Sequence, residues 1–159
     1  MRIHRVSGNA WIVLVIMAAG LAVSCNSQDD LERYDDRVGF RFGMRVDTTG
    51  VEDFIAVTRE ADIIALAREQ LMLPVSERTF HIHGPVTFGN EGYNLDWDWH
   101  FIPEDWVLAE ESVEVCDVAP RGISAALADL PDTLDTLYAC PLHSYVKSEA
   151  QLSLTSQER

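Results

Sequence analysis

Two alternating runs around a turn constrain the fold of this chain more than any other feature. Apolar and polar residues alternate from Phe80 to Phe88, and they alternate again from Leu95 to Phe101. The segment between the runs, residues 89–94, is rich in glycine and asparagine. A period of two on both sides of such a turn predicts an antiparallel β-hairpin. The chain is therefore expected to build its core on an antiparallel sheet.

The predicted hairpin has one apolar face and one polar face. A register that matches the two faces places His83 opposite His100 and Trp97 opposite Val86. The tryptophans then point to the core, and the opposite face carries His81, His83, Asp96, Asp98 and His100.

Two interpretations of this polar face remain open. Imidazoles and carboxylates that share a sheet face can bind zinc or copper. Alternatively, solvent or a helix covers the face and the histidines are hydrogen-bonded. The sequence contains no HExxH or CxxC motif. The residues alone therefore assign no metal ligand, no cofactor and no catalytic residue.

The remaining periodicity predicts a small α+β domain. Alternation from Val38 to Val46 indicates a strand, and residues 51–57 indicate a second one. Thr58 is a plausible cap for a helix whose apolar face comprises Ile63, Ile64, Ala67 and Leu71. Pro120 suits the start of a second helix, with Ile123, Ala126, Leu127 and Leu130 on one face. We expect an antiparallel sheet of about four to five strands with one or two helices and one disulfide.

The N-terminal segment predicts export. Arg2 and Arg5 precede an apolar stretch, Trp11 to Val23, which small residues and Cys25 follow. The run from Leu21 to Cys25 resembles the lipobox of bacterial lipoproteins, in which the cysteine is lipidated, as with palmitate. A plain signal peptide and an uncleaved anchor are the alternatives, although the stretch is shorter than the roughly 20 residues that a spanning helix needs.

The resemblance to lipoproteins divides the chain and places it in the cell. The resemblance implies a signal peptide at residues 1–24, and the polar residues that follow predict a tether at 25–36. The periodic segments predict an α+β domain at 37–147, and the polar residues after it predict a disordered tail at 148–159. The residue after the cysteine is Asn26, which resembles the pattern of lipoproteins that are sent to the outer membrane. The resemblance therefore implies a location in the outer membrane of a bacterial cell envelope. The expected membrane contact is the N-terminal lipid.

The net charge disfavours two classes of partner, and the cysteine count indicates a disulfide. The chain has 26 acidic and 12 basic residues, a net charge of −14, which argues against nucleic acid and anionic lipid surfaces. With Cys25 assigned to the lipid, Cys116 and Cys140 remain as a pair. An oxidising compartment favours a disulfide between them, and two free thiols or a metal site are the alternatives.

Several motifs point to one family. They are His81-x-x-Gly84, Tyr93-Asn94-x-x-Trp97-x-x-His100, Pro103, Val113-Glu114-Val115-Cys116-Asp117 and Cys140-Pro141. Residues 38–146 resemble the N-terminal domain type first named from a calmodulin-binding protein and found in many secreted bacterial and fungal proteins. The resemblance implies a small secreted α+β domain with Cys116 and Cys140 as its cysteine pair. It implies no catalytic activity, and calmodulin binding is not transferred.

The positions that match this family are the candidate binding residues. They are His81, Tyr93, Asn94, Trp97, His100, Glu114 and Asp117. A structural interpretation competes with the binding one: Asn94 closes the turn, Trp97 fills the core and Asp117 caps the helix that begins at Pro120. In that interpretation His81 and His100 are hydrogen-bonded across the hairpin.

Three functions are consistent with these observations. The first is a non-catalytic, lipid-anchored envelope domain that binds an unknown protein or small molecule. The second is a metal-dependent or acid/base enzyme that uses the hairpin face of His81 and His100. The third is a structural accessory lipoprotein.

Overall fold

The computed structural model describes residues 36–47, 49–111, 114–131 and 133–152. The predicted signal peptide, the lipidated Cys25 and nearly all of the predicted tether lie outside these residues. Within the described part of the chain, no helix has the length and apolar character needed to cross a membrane.

The described residues form seven strands and two α-helices. The strands are β1 (Val38–Met44), β2 (Phe54–Thr58), β3 (His81–Phe88), β4 (Trp99–Phe101), β5 (Val107–Ala109), β6 (Leu137–Ala139) and β7 (Ser144–Ala150). The helices are α1 (Ala61–Met72) and α2 (Pro120–Ala128), and single 3₁₀ turns lie at Val75–Glu77 and Glu114–Cys116.

The strands divide between two antiparallel sheets. The first sheet has three strands in the order β2-β1-β7. The second has four strands, in which β3 pairs with β4, β5 and β6 along different parts of its length. The predicted α+β class is confirmed, although the strands form two sheets rather than one sheet of four or five.

The core lies between the two sheets because each contributes its apolar face. Phe42 of β1 stacks on Phe54 of β2 with ring centroids 5.3 Å apart, and it forms a T-shaped contact with Trp106 at a centroid distance of 5.8 Å. Trp106 lies directly over β3 at Gly84, where a Cβ atom would come within 2.7 Å of the tryptophan Cβ. The second sheet adds further buried side chains, namely Ile82, Val86, Trp99 and Phe101.

Both predicted helices form, but their caps differ from the prediction. Thr58 is the last residue of β2, so its hydroxyl is not the helix cap; it accepts the N–H of Glu60 at 3.1 Å. Glu60 is the N-cap residue of α1 and makes no side-chain capping bond. In α2, Pro120 occupies the first turn as predicted, with Ala119 at the N-cap position.

Arg78 joins the end of α1 to the first sheet. Its guanidinium donates to the carbonyl oxygen of Leu73 at 2.9 Å and to that of Val146 on β7 at 2.8 Å. Carbonyls at a helix C-terminus have no partner within the helix, and a cation placed there satisfies them. This arginine therefore links the C-terminal end of α1 to β7.

Two features near the C-terminus complete the domain. The predicted disulfide between Cys116 and Cys140 is confirmed, with Cα atoms 5.2 Å apart. Strand β7 continues to Ala150 by pairing with β1. The predicted start of a disordered tail at residue 148 is therefore wrong, because residues 148–150 make ladder contacts with the opening residues of β1.

Candidate functional site

The hairpin forms with a different register from the predicted one. Strand β4 begins at Trp99 rather than at Leu95, and His100 pairs with Thr87 instead of His83. Residues 91–98 consist mainly of turns. The predicted pairing of Trp97 with Val86 is also wrong, because Phe101 takes that place. The turn is longer than the alternation suggested because its side chains reach across to the first sheet.

The new register separates the histidines. Residues opposite one another share a sheet face, so His81, His83 and His100 lie on one face as predicted. His81 is at the far end of β3 from Thr87, about 20 Å away at the usual rise per residue. The predicted hydrogen bond between His81 and His100 is therefore wrong, and one ion cannot contact both.

The two aspartates predicted on this face lie outside the strands. Asp96 is exposed within the turn segment. The carboxylate of Asp98 accepts a hydrogen bond from the hydroxyl of Ser124 on α2. Neither aspartate joins the histidines, and the described residues contain no group of three or more His, Cys, Asp or Glu placed to hold a metal ion.

The segment Gly89–Asp98, which we name the clamp loop, holds the free edge of β2. The indole Nε1 of Trp97 donates to the carbonyl oxygen of Asp53 at 2.8 Å. The side-chain oxygen of Asn94 accepts the N–H of Ile55 at 2.9 Å. These bonds satisfy main-chain groups that an edge strand otherwise exposes.

Trp106, the residue before β5, extends the same arrangement. Its Nε1 donates to the carbonyl oxygen of Val57 at 2.8 Å, so the bonds to β2 fall on alternate residues of the strand. This spacing is that of a neighbouring strand in a sheet. Side chains thus replace the missing strand and join the two sheets along this edge.

Asn94 uses both ends of its amide. Besides its bond to Ile55, its Nδ2 donates to the carbonyl oxygen of Trp99 at 2.8 Å, and the residue is 2% exposed. Asn94 was predicted to close the turn, and it does so while bridging the sheets. A ligand could therefore reach the polar atoms of this side chain only by competing with these bonds.

Tyr93 and His100 also contact the main chain near the hairpin turn. The hydroxyl of Tyr93 donates to the carbonyl oxygen of Phe101 at 3.3 Å. The Nδ1 of His100 lies 2.7 Å from the carbonyl oxygen of Gly89. A carbonyl oxygen only accepts, so this nitrogen carries the proton. Both side chains are buried.

His81 and His83 form a separate buried pair on β3. Their ring centroids are 4.6 Å apart. Burial lowers the pKa of both imidazoles below the usual 6.5, and for His83 the nearby His81 adds to the effect. The Nε2 of His83 is buried and has no hydrogen-bond partner among the described residues.

Asp117 lies close to this pair but does not cap α2 as predicted. Its Oδ1 accepts the N–H of Leu142 at 3.1 Å, beside the disulfide. Its charge partly opposes the effect of burial on the pKa of His81. Glu114, the remaining predicted position, starts the 3₁₀ turn that ends at Cys116.

A pocket of about 250 Å³ opens on the outer face of the first sheet. Its floor includes Arg41 of β1 and Ile55 of β2, which pair with one another. One wall is the clamp loop from Gly92 to Asp96, and the other is residues 151–152. Sequence reasoning singled out Tyr93 and Asn94, which line this pocket, but missed Arg41. The signal for Arg41 was no more than a charged residue on the polar side of an alternating strand.

Comparison with known proteins identifies the family. Residues 40–153 match the family model described as the BP-74 N-terminal domain. This chain belongs to that family. No curated protein and no solved structure matches it. The matched range contains the clamp loop, both cysteines and the whole pocket floor.

In this BP-74-type domain the predicted binding residues therefore lie in two separate places. Tyr93, Asn94, Trp97 and His100 belong to the clamp loop and the start of β4, where they satisfy main-chain groups. Asp117 follows Cys116 of the disulfide, and its charge acts on His81. Binding roles for these residues stay predictions, and a pocket with room for a small ligand lies beside Tyr93 and Asn94.

Proposed function

We propose that this BP-74-type domain is the non-catalytic binding module of a lipid-anchored cell-envelope protein. The observation that supports binding is the pocket of about 250 Å³ between the clamp loop and β1. A cavity lined by a few polar groups and apolar walls is the usual form of a small-molecule site. The proposed occupant is a small molecule, and the proposed mechanism is reversible binding.

The walls of this pocket favour binding over catalysis. The Oδ2 of Asp53 lies 2.6 Å from the Nζ of Lys147, so this carboxylate already has a cationic partner. Both polar ends of the Asn94 amide are held by the main chain. A general acid/base pair or an activated nucleophile needs side chains within hydrogen-bond reach of each other and of a substrate, and the described lining residues supply no such pair.

Lipid anchoring is supported by the sequence alone. The run from Leu21 to Cys25 resembles a lipobox, and the residues after it are polar. We propose attachment through a lipid on Cys25 in the outer membrane of a bacterial envelope. Labelling cells with a fatty-acid analogue should mark the wild-type protein and not Cys25→Ser. Retained labelling of the variant contradicts this proposal.

Binding is tested by screening small organic molecules against the isotope-labelled protein by NMR. The set contains carboxylates, amines and neutral amides of similar size. A ligand in the pocket should shift the backbone N–H signals of Gly92, Leu95 and Gln151 in a saturable way. Arg68 on α1 lies outside the pocket lining, so its backbone signal is an internal control. If no molecule shifts the pocket signals, the domain does not bind small molecules there.

The enzyme hypothesis has less support. It joins His81 with His100, whose pairing partner Thr87 lies about 20 Å from His81 along β3. A narrower form of it uses His81 and His83, whose rings are 4.6 Å apart. Titration with zinc, read by tryptophan fluorescence, tests this form directly. Saturable binding at one ion per chain, lost in His83→Gln, would favour the enzyme or metal-binding function over the one that we propose.

A further inference from the structure

Arg41 differs from the other described cations. Every other described arginine, and the described lysine, donates to a carboxylate or to carbonyl oxygens. Arg41 is half-buried, and its guanidinium has no hydrogen bond or ion pair with another described residue. This is unexpected in a chain with 26 acidic and 12 basic residues. Removing a charge partly from water without pairing it is unfavourable.

Arg41 lies where a ligand in the pocket could pair with its guanidinium. It lines the floor of the pocket, opposite Ile55. Asp53, the acidic lining residue next to β2, is paired with Lys147. Asp96 is exposed at the rim. Among the described lining residues the guanidinium is therefore the cationic group with unused donors, and its fork of N–H groups matches the two oxygens of a carboxylate.

The rest of the pocket is suited to an apolar body. Ile55 and Tyr93 belong to a small cluster on the outer face of the first sheet, and Leu152 packs against it. All three of these residues line the pocket. A ligand with an acidic end and a short hydrocarbon or aromatic body would pair its charge with Arg41 and bury its body against this cluster.

The charge of the surroundings limits the ligand to one negative charge. Asp96 lies at the rim of the pocket, and the net charge of the chain is −14, whereas Lys147 offsets the charge of Asp53. A second negative charge on the ligand would be repelled by Asp96 and by the net charge of the chain. We infer that the pocket binds a small organic monocarboxylate, with its carboxylate on Arg41 and its apolar body on Ile55, Tyr93 and Leu152. This inference rests on the proposed function of the pocket.

The test compares hydrocinnamate with hydrocinnamamide, which have the same apolar body and differ in charge. Binding to the isotope-labelled protein is followed by the N–H signals of Gly92, Leu95 and Gln151. Hydrocinnamate should bind at least about tenfold more tightly than the amide, because hydrogen bonds between charged groups are the stronger ones. Arg41→Gln should abolish this preference.

Arg68→Gln is the matched control. It removes the same charge from an exposed site on α1, where Arg68 pairs with Glu149, and it should leave the preference for hydrocinnamate unchanged. An unchanged melting temperature of Arg41→Gln excludes unfolding as the cause of lost binding.

Two outcomes contradict the inference in different ways. If the acid and the amide bind equally, and Arg41→Gln binds like the wild type, the pocket binds ligands but does not select carboxylates. The proposed function then stands and this inference fails. If neither compound shifts the pocket signals and the wider screen also finds no ligand, both fail.

Discussion

At the scale of single residues, Asn94 shows how a position that looks like a ligand contact serves the main chain. Its amide oxygen accepts the N–H of Ile55 and its amide nitrogen donates to the carbonyl of Trp99. Both strand groups are thereby satisfied away from water. An unpaired buried main-chain group costs about 1–3 kcal/mol, so this one side chain has a large effect on the stability of the domain.

Asn94→Ala should lower the free energy of unfolding by about 2–4 kcal/mol, since it leaves two main-chain groups without partners. Asn90→Ala is the control in the same loop, because Asn90 is exposed and its side chain accepts the N–H of Gly92 within the turn. That change should cost about 1 kcal/mol or less. Chemical denaturation measures both, and equal losses would contradict the role given to Asn94.

The buried pair of His81 and His83 predicts a dependence of stability on pH. Burial lowers the pKa of both side chains in the folded state below 6.5. The unfolded chain therefore binds more protons as the pH falls, and stability should decrease below about pH 6.5.

The double variant His81→Gln, His83→Gln tests this expectation. Denaturation midpoints measured across the range in which free histidine titrates should fall less steeply for the variant than for the wild type. An equal slope in both proteins would show that these two histidines do not cause the loss of stability.

The roles of some single residues were predictable from the sequence. Asn94 was expected to close the turn, and it does so. Trp97 was expected to fill the core; it is partly buried against the core, and its bond to the carbonyl of Asp53 was not anticipated. The proposed role of Arg41 was not predictable, because an arginine on the polar side of a strand is ordinary until the structure shows what surrounds it. Whether a charged side chain has a partner depends on contacts between distant segments, and periodicity contains no information about them.

At the scale of secondary structure elements, the free edge of β2 is the feature that organises the domain. Trp97, Asn94 and Trp106 bond to alternate residues along this edge. They occupy the side on which another strand would pair. Covering an edge in this way also protects a domain from pairing with other chains.

A comparison of two buried tryptophans tests whether a side-chain hydrogen bond to the edge of β2 stabilises the domain. Trp106→Phe removes the donor to the carbonyl of Val57. Trp99→Phe makes the same change in side-chain size at another fully buried site, where Nε1 has no partner among the described residues. Trp106→Phe should therefore cost about 1–2 kcal/mol more in the free energy of unfolding. Equal costs would mean that the bond to β2 contributes nothing.

The elements themselves were predictable where their periodicity was local. The first strand, both helices and the apolar face of β3 follow from spacing alone. The register of the hairpin does not, because the clamp loop draws residues 91–98 away from β4 to reach β2. Alternation from Leu95 onward looked like a strand, but a contact with a distant strand decided the conformation of these residues.

At the scale of the whole molecule, two sheets enclose one core, and a disulfide ties the 3₁₀ turn before α2 to the residue that follows β6. Cys116 and Cys140 are separated by 24 residues along the chain. Closing a loop of this length stabilises the folded state by about 3 kcal/mol on the chain-entropy model. The division into two sheets was not predictable from the sequence, since each strand pattern gives the faces of a strand but not its neighbours.

Replacing both cysteines should remove this contribution. The variant Cys116→Ser, Cys140→Ser is expected to unfold at a lower denaturant concentration, with a loss of about 3 kcal/mol in the free energy of unfolding. Wild-type protein treated with a reductant should show the same loss. If reduction leaves the stability unchanged, the cross-link does not constrain the unfolded chain in the way proposed here.

We propose two roles in this domain: the clamp loop joins the two sheets, and Arg41 binds the carboxylate of a ligand. The most direct test is to measure both the free energy of unfolding and the affinity for hydrocinnamate in Arg41→Gln. We expect a change in stability within about 0.5 kcal/mol together with a loss of affinity of at least about tenfold. A large loss of stability with unchanged affinity would contradict the role given to Arg41, because this residue would then support the fold and the pocket would not use its charge.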